Sequence, residues 1–527
     1  MKTVPIVLRL PYITFNKKTF LFIILFSLLA ITAFFHLWKI STIPPGLYQD
    51  EAAIGYNAHL IAHSGHDEYG RYFPLFFASF NDFKSPIYIY TTALLFRIFG
   101  SSVFLLRLVS FLYFAIFLLL LLYYIRVTSK ISTLQQWALL FYAAIAGGLF
   151  PWFFAISRVS FEVISQPAIM ISIILLTYLA FTSPNKAKQK RYGWLLGLIL
   201  GTFLYSYATA RLLAPAYTVL IAICFWHTNN KKVIRNMIIA FVLLCIPMLV
   251  YWFWYPALLD RFREISIVSG DESFVSKFQM IFNHYIKYFS PSFLIFAGDM
   301  VPRHATGITG MTGIVIFILA LLGVPPNLWS RKTMEKRFYY FLLFGTFLSP
   351  LAASLTAIDK MPHALRSATL GVFLLVLSIE GVRFLLTALP RKQTFFMVMA
   401  ILWSLSMEQS VYMHDYFTDY VTRSRKHFQT WGLSQSLMQV KEQKPSKLYV
   451  SESINYANVE FLIRTLGWDD SIEVIHTNST LSIEPGTCAM FISDLDVLPT
   501  ESGDGKIVTI PPNISHSRIM LHCYMPS

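Results

Sequence analysis

The chain has 527 residues, of which 55% are hydrophobic and only 13% charged, and its formal net charge is +15 at pH 7; its mean hydropathy is +0.55. Soluble domains carry about 25% charged residues, so these values exclude a soluble globular protein and point to a polytopic α-helical membrane protein. The positive charge does not imply a nucleic-acid partner, because most Lys and Arg stand in short clusters between apolar runs, where the positive-inside rule expects them.

A membrane span needs about 20 apolar residues. Runs of that kind lie near 20–38, 104–125, 134–156, 161–182, 192–208, 211–227, 233–254, 309–324, 338–357, 368–387 and 394–413, which predicts about eleven transmembrane helices. The first run follows Lys17 and Lys18 and is not followed by a small-residue cleavage site, so it reads as a retained helix with a cytoplasmic N-terminus. Basic clusters at Arg9/Lys17/Lys18, Arg126/Lys130, Lys186–Arg191, Lys231–Arg235, Arg331–Arg337 and Arg391/Lys392 recur at every second connection. That alternation marks one side as cytoplasm throughout and predicts a multi-pass protein of the cell (plasma or inner) membrane.

Ile87 to Gly100 is apolar but short and contains Arg97. Counting it as a span would break the charge alternation, so an interfacial helix is expected in the first outer loop. The long loops 39–103 and 255–308, and everything after about 414, then share the outer face. The chain divides into a membrane module, 1–413, and a small extracytoplasmic α/β domain, 414–527. In that tail "KLYVSES" and "TCAMFISD" read as strands and Tyr456 to Leu466 as a helix. Cys488 and Cys523 are either a disulfide or two free thiols. Gly-rich phosphate loops, CxxC pairs, HExxH and GxSxG are missing.

The polar residues on the outer side differ from those on the cytoplasmic side, mixing Asp, Glu and His with Lys and Arg. Loop 39–103 carries Asp50 and Glu51 after "PPG", and Asp82 and Lys84 just before the Ile87 helix. Arg158 and Glu162 stand at one outer turn, Tyr207 and Arg211 at the next, Arg303 and His304 in the second loop, and Asp359, Lys360, His363 and Arg366 in a third. A lone Arg or Lys at such a position also suits a boundary anchor. Together they form a set that suits a lipid-linked phosphosugar: a carboxylate to take the acceptor's proton, and Lys84, Arg211, Arg303 or Arg366 to stabilise charge on the leaving phosphate. A divalent metal (Mg, Mn or Zn) held by carboxylates and His304 would do similar work.

The stretches "DEAAIGYNAHLIAHSGHDEYGRYFPLFF", "DFKSP", "PWFFAISRVSFE", "RHATGITG" and "PHALRS", in this order, resemble the membrane-embedded GT-C glycosyltransferases, in particular bacterial family 39-like relatives of protein O-mannosyltransferases and lipid A aminoarabinose transferases. The likeness covers about residues 40–370. It implies a GT-C fold and inverting transfer of a sugar from a polyprenyl-phosphate donor to an acceptor protein, glycan or lipid in the cell envelope. It further implies that Asp50 is the catalytic base, with Glu51 orienting the loop, and that Lys84 engages the donor phosphate. Asp82 is offset, because the family's acid directly precedes its lysine and here Phe83 intervenes. The rival from another class is a multi-pass transporter or a membrane scaffold for an envelope glycan system. Transporters place ionisable groups near the midplane of repeated halves, and neither feature is evident here.

Overall fold

The computed structural model describes residues 16–80, 82–129, 131–228, 230–270, 272–324, 333–357, 361–428, 432–443, 445–452, 454–466, 473–477, 482–483, 487–492, 500–501, 506–510 and 519–525. Asp359 and Lys360 lie outside them. Among the described residues, six helices are long and apolar enough to cross a membrane: Lys17–Leu37, Val103–Thr128, Glu162–Thr182, Lys231–Trp254, Leu365–Ala388 and Arg391–Phe417. The remaining apolar runs are helical over shorter stretches or carry more charge: Thr133–Gly148, Lys186–Phe203, Ala210–Phe225, Ile314–Leu322 and Thr333–Leu348.

Two of the expected runs are broken by proline. The run near 134–156 splits into Thr133–Gly148 and Pro151–Ile156, and that near 338–357 into Thr333–Leu348 and Leu351–Ser354 after Pro350. Proline has no N–H to give to the preceding turn and clashes with its carbonyl, so each helix stops there. Close helix packing relies on small residues. Gly193, Gly197 and Gly201 repeat every fourth position, and a Cβ on any of them would collide with Val233, Met237 or Leu244 of the Lys231–Trp254 helix. Glu380, 1% exposed, accepts the hydroxyls of Tyr124 and Tyr339, each at 2.9 Å, and Arg383 at 2.8 Å. That bond set ties three helices together.

The first long loop is ordered by local signals and by two buried arginines. Gln49–Ser64 is a helix whose first turn holds Asp50 and Glu51, favourable at the positive end of the helix dipole. Glu51 Oε2 reaches back to the Tyr48 amide at 3.1 Å, and Gly65 ends the helix at φ 76°. Phe77–Ser79 and Asp82–Lys84 pair as a short antiparallel hairpin. Ser85 caps the next helix, Pro86–Phe99, with Pro86 in its first turn. The segment before Gln49 contains "IPPG" and so offers more carbonyls than amides. Arg158 donates to the carbonyls of Phe35, His36, Trp38 and Ile43, and Arg107 to those of Ile40, Pro44 and Gly46.

In the tail, a five-stranded sheet runs in the order Glu473–Thr477, Lys447–Ser451, Thr487–Ile492, Ile519–Met525, Lys506–Ile510. Its first three strands are parallel, and the last two add antiparallel. Cys488 and Cys523 face each other across Thr487–Ile492 and Ile519–Met525 and form a disulfide. The helix Tyr456–Thr465 lies against Gln49–Ser64. Phe461 packs on Gly55, where an added Cβ would stand 2.7 Å from its ring. The tail therefore touches the helix that carries the acid pair.

Candidate active site

The acid pair divides its work. Glu51 is fully buried and saturated: it accepts Arg107 Nε at 3.1 Å, Arg107 Nη2 at 3.3 Å and the Ser160 amide at 2.9 Å, besides the Tyr48 amide. It has no capacity left for a substrate. Asp50, next in the same turn, keeps its side chain 31% exposed and meets Lys84 Nζ at 2.7 Å. About a quarter-turn of helix separates these two adjacent positions, which leaves Glu51 buried and Asp50 partly exposed.

Lys84 closes the hairpin arm and is 7% exposed. Burial by itself would lower its pKa, but the carboxylates of Asp50, Glu162 and Asp82 outweigh it and hold the ammonium above the ordinary lysine range. Lys84 is a permanent point charge. Glu162 binds the Ser85 amide and so pins the residue that follows Lys84. Asp82 accepts the Phe83 amide at 2.7 Å. Arg211 donates to the Phe83 carbonyl at 3.3 Å and lies 4.8 Å from the centre of the Phe76 ring.

Tyr207 stands within the fields of Arg366, Glu162, Lys84 and Asp50, and burial first of all pushes its hydroxyl up to about 12. It stays neutral and can donate. Arg366 has a buried Nη1 without a hydrogen-bond partner, as Arg303 and Arg211 have a buried Nε. Arg303 lies 3.7 Å from the centre of the Tyr48 ring, and Tyr48 stands two residues before Asp50. Buried cationic N–H groups without a partner are the kind of donor that an anion would satisfy.

Arg158, a candidate from the sequence, does not join this group. Its Nη atoms are committed to the four carbonyls named above, and its guanidinium stacks against Phe154, Tyr416 and Phe417. It holds the entry to the loop instead.

His304 and His363 meet a residue that the sequence reading overlooked. Asp299, 3% exposed, accepts the Val301 amide at 2.7 Å, the Ala364 amide at 2.6 Å and His304 Nδ1 at 2.8 Å. Burial would raise its pKa, yet His304, His363 and the Ala364 amide hold its carboxyl below the usual range. The His304 and His363 rings lie 4.6 Å apart, and Nδ1 of His363 is buried without a partner. One ligand atom from each of Asp299, His304 and His363 falls within 4.8 Å of the others, a spacing that can hold a metal ion. Burial and the neighbouring His304, Arg366 and Arg303 hold the His363 imidazole neutral, well below its ordinary pKa.

Three further participants carried weak sequence signals. Arg107 is a charge inside the apolar run 104–125, which by itself marks a partnered or functional group. Tyr48 stands two residues before the acid pair, and Asp299 lies in the same loop as Arg303. None belongs to a recognisable motif.

No protein-family profile matches the sequence, and no curated protein is detectably similar to it. Solved structures do match. The chain is similar to ArnT from Cupriavidus metallidurans bound to undecaprenyl phosphate, with a TM-score of 0.57 at 11% identity over 96% of this chain and 98% of that one. It also resembles the apo state of the same protein, with a TM-score of 0.53 at 11% identity over 85% of each chain. A third similar structure is the oligosaccharyltransferase of Archaeoglobus fulgidus in its apo form, with a TM-score of 0.51 at 11% identity over 89% of this chain and 70% of that one.

Proposed function

With the GT-C fold as premise, we propose that this chain is an inverting glycosyltransferase that moves a sugar from a polyprenyl-phosphate donor to an acceptor hydroxyl. The reading places the reaction on the outer face of a cell membrane crossed by eleven helices. The N-terminus is then cytoplasmic and the tail 414–527 a separate extracytoplasmic α/β domain, a compartment that suits the Cys488–Cys523 disulfide. The observation that carries the reading is the Asp50–Lys84 contact of 2.7 Å, with Arg211, Arg303 and Arg366 around it.

In this mechanism the acceptor oxygen attacks the anomeric carbon while the bond from that carbon to the phosphate oxygen breaks. The bonding electrons leave with the polyprenyl phosphate, and the hydroxyl proton passes to the Asp50 carboxylate. Lys84 holds Asp50 at 2.7 Å before reaction and, in this mechanism, steadies the developing phosphate charge during it. Arg211, Arg303 and Arg366 offer N–H groups to the phosphate oxygens, and neutral Tyr207 adds a hydroxyl donor. Glu51 acts through Arg107 as a positioning residue, and Glu162 through Ser85.

Asp299, His304 and His363 fit a divalent cation, and one carboxylate with two imidazoles suits Zn²⁺ or Mn²⁺ better than Mg²⁺. Such an ion would supply positive charge beside the phosphate. The experiment that tests the function is transfer of radiolabel from a panel of polyprenyl-phosphate sugars to membrane acceptors, using purified wild type, Asp50→Asn and Lys84→Ala. One donor giving signal that both variants lose supports the reading. No transfer and no polyprenyl-phosphate binding by folded protein would move the assignment to a transporter or a scaffold.

A further inference from the structure

The Gln49–Ser64 helix and the Phe77–Lys84 hairpin each have a second end. Asp50 and Lys84 mark one end of each, at the candidate active site. Further along stand Tyr56, midway in the helix, and Phe80, at the turn of the hairpin, and both face the tail, Tyr56 under Arg464 and Phe80 against Tyr456. Between them and the tail opens a cleft of about 480 Å³, completed by Glu452, Asn455, Tyr456, Glu460 and His476. Both ring nitrogens of His476 are buried without a hydrogen-bond partner, although Nε2 lies 3.7 Å from Glu460. The cleft thus holds polar groups that the protein itself leaves incompletely satisfied.

Its chemistry is selective. Three aromatic rings offer flat apolar faces, and two carboxylates, an amide and an imidazole offer hydrogen bonds. Among the described residues no Lys or Arg lines it, and Arg464 beside it is already paired with Glu460 at 2.9 Å, so a phosphate or an anionic lipid headgroup finds no free counter-charge in the described walls. A peptide would bring as many carbonyls as amides, and the walls are dominated by acceptors. A polyhydroxylated ring fits better, because each hydroxyl can donate to a carboxylate or amide oxygen while the C–H face of the ring lies on an aromatic side chain.

From these observations we infer that the cleft is the acceptor subsite of the proposed transferase and that the acceptor is a glycan of at least two sugar residues. The inference rests on the transferase reading above and adds the acceptor class. Its length requirement comes from the backbone. Asp50 to Tyr56 is six helical residues, about 9 Å of rise, and Lys84 to Phe80 is four extended residues, at most about 13 Å. A single sugar in the cleft cannot also present its hydroxyl at Asp50. A longer glycan can lay inner residues in the cleft and offer its terminal residue to the base.

The tail stays in place through a contact separate from the cleft walls, Phe461 on Gly55 with Phe96 stacked on Phe461 at 6.2 Å. Cleft residues can therefore be changed without removing the joint. The test uses the full chain in fluorescent nanodiscs on an array of immobilised mono- to pentasaccharides, with Glu452→Gln, Glu460→Gln and His476→Ala as variants. Limited proteolysis checks that the tail remains docked in each. The expected result is retention on one class of di- and longer saccharides, weakened at least tenfold by the variants, with monosaccharides not retained. No retention, or retention that all three variants leave unchanged, overturns the inference, as does displacement by an unglycosylated peptide. Binding of undecaprenyl phosphate, measured on the same nanodiscs, keeps the outcomes apart: if it persists while glycans are not retained, the acceptor class is wrong and the transferase reading stands.

Discussion

Lys84 Nζ lies 2.7 Å from Asp50 Oδ1, across thirty-four positions of sequence, closer than the 3.1 Å of the buried Glu51–Arg107 pair beside it. The pair joins the first turn of one helix to the residue that precedes the N-cap of another. Each partner is held from behind, Asp50 by the turn that Glu51 anchors and Lys84 by the Glu162–Ser85 contact. Asp50→Asn keeps the shape and removes the base, so turnover should fall by about 10²–10⁴-fold with donor binding retained. Single-turnover transfer together with undecaprenyl-phosphate binding measures both, and normal turnover in the folded variant would remove Asp50 from the mechanism.

Lys84→Ala has a different signature. A charge-assisted hydrogen bond is worth about 1.5–3 kcal/mol, which corresponds to roughly 10–100-fold in affinity. Donor affinity should fall by that factor, and Lys84→Arg should recover part of it. Titration of nanodisc-embedded protein with undecaprenyl phosphate reads this directly.

The Glu51–Arg107 pair is predicted to govern stability rather than chemistry. Both side chains are fully buried, and removing one leaves an uncompensated charge, at a cost of about 3–5 kcal/mol. Glu51→Ala should therefore lower the thermal midpoint far more than Asp50→Asn, whose position is partly exposed. Equal midpoints for the two variants would contradict the division of roles within the acid pair.

Gly55 sets the joint between tail and loop. Gly55→Leu drives its side chain into the Phe461 ring, an overpacking worth roughly 1–3 kcal/mol, and should free the tail. Faster proteolysis after residue 417 would report it, and adding Phe461→Ala should restore protection. A tail that remains protected in Gly55→Leu would mean that other contacts hold it.

Acid should loosen the first long loop itself. His59 bonds Ser101 at 2.8 Å, and burial, with His63 and Arg464 adding to it, pulls its pKa down to about 4, against about 6.5 in an unfolded chain. Because the folded value is depressed, the unfolded chain binds the extra proton between these limits. The stabilising contribution is complete above pH 6.5 and is lost as the pH falls towards 4. The thermal midpoint of the wild type should drop more steeply over that range than that of His59→Gln, and parallel slopes would refute the assignment.

For the triad, metal content by mass spectrometry on protein purified without chelator should give a bound divalent ion that His363→Ala lacks. A metal-free wild type with full transfer activity would leave Asp299, His304 and His363 as a hydrogen-bonded cluster only.

What the sequence determined by itself is local in origin. Hydropathy and basic clusters marked the apolar helices, because a run of apolar side chains needs no partner to declare its preference. Asp50 in a first turn and Lys84 ahead of Pro86 were legible for the same reason, as capping and helix-start chemistry acts within a few residues. Proline at 151 and 350 broke two runs that composition had joined. The tertiary structure alone decided which charges are occupied. Arg158 reads in sequence like Arg366, yet both Nη atoms of Arg158 are spent on four backbone carbonyls, whereas Nη1 of Arg366 is buried without a partner. Asp299, His304 and His363 become a unit, and Phe461 finds Gly55, only when segments far apart in the chain meet. Burial and partnering are properties of that meeting, and a linear pattern does not contain them.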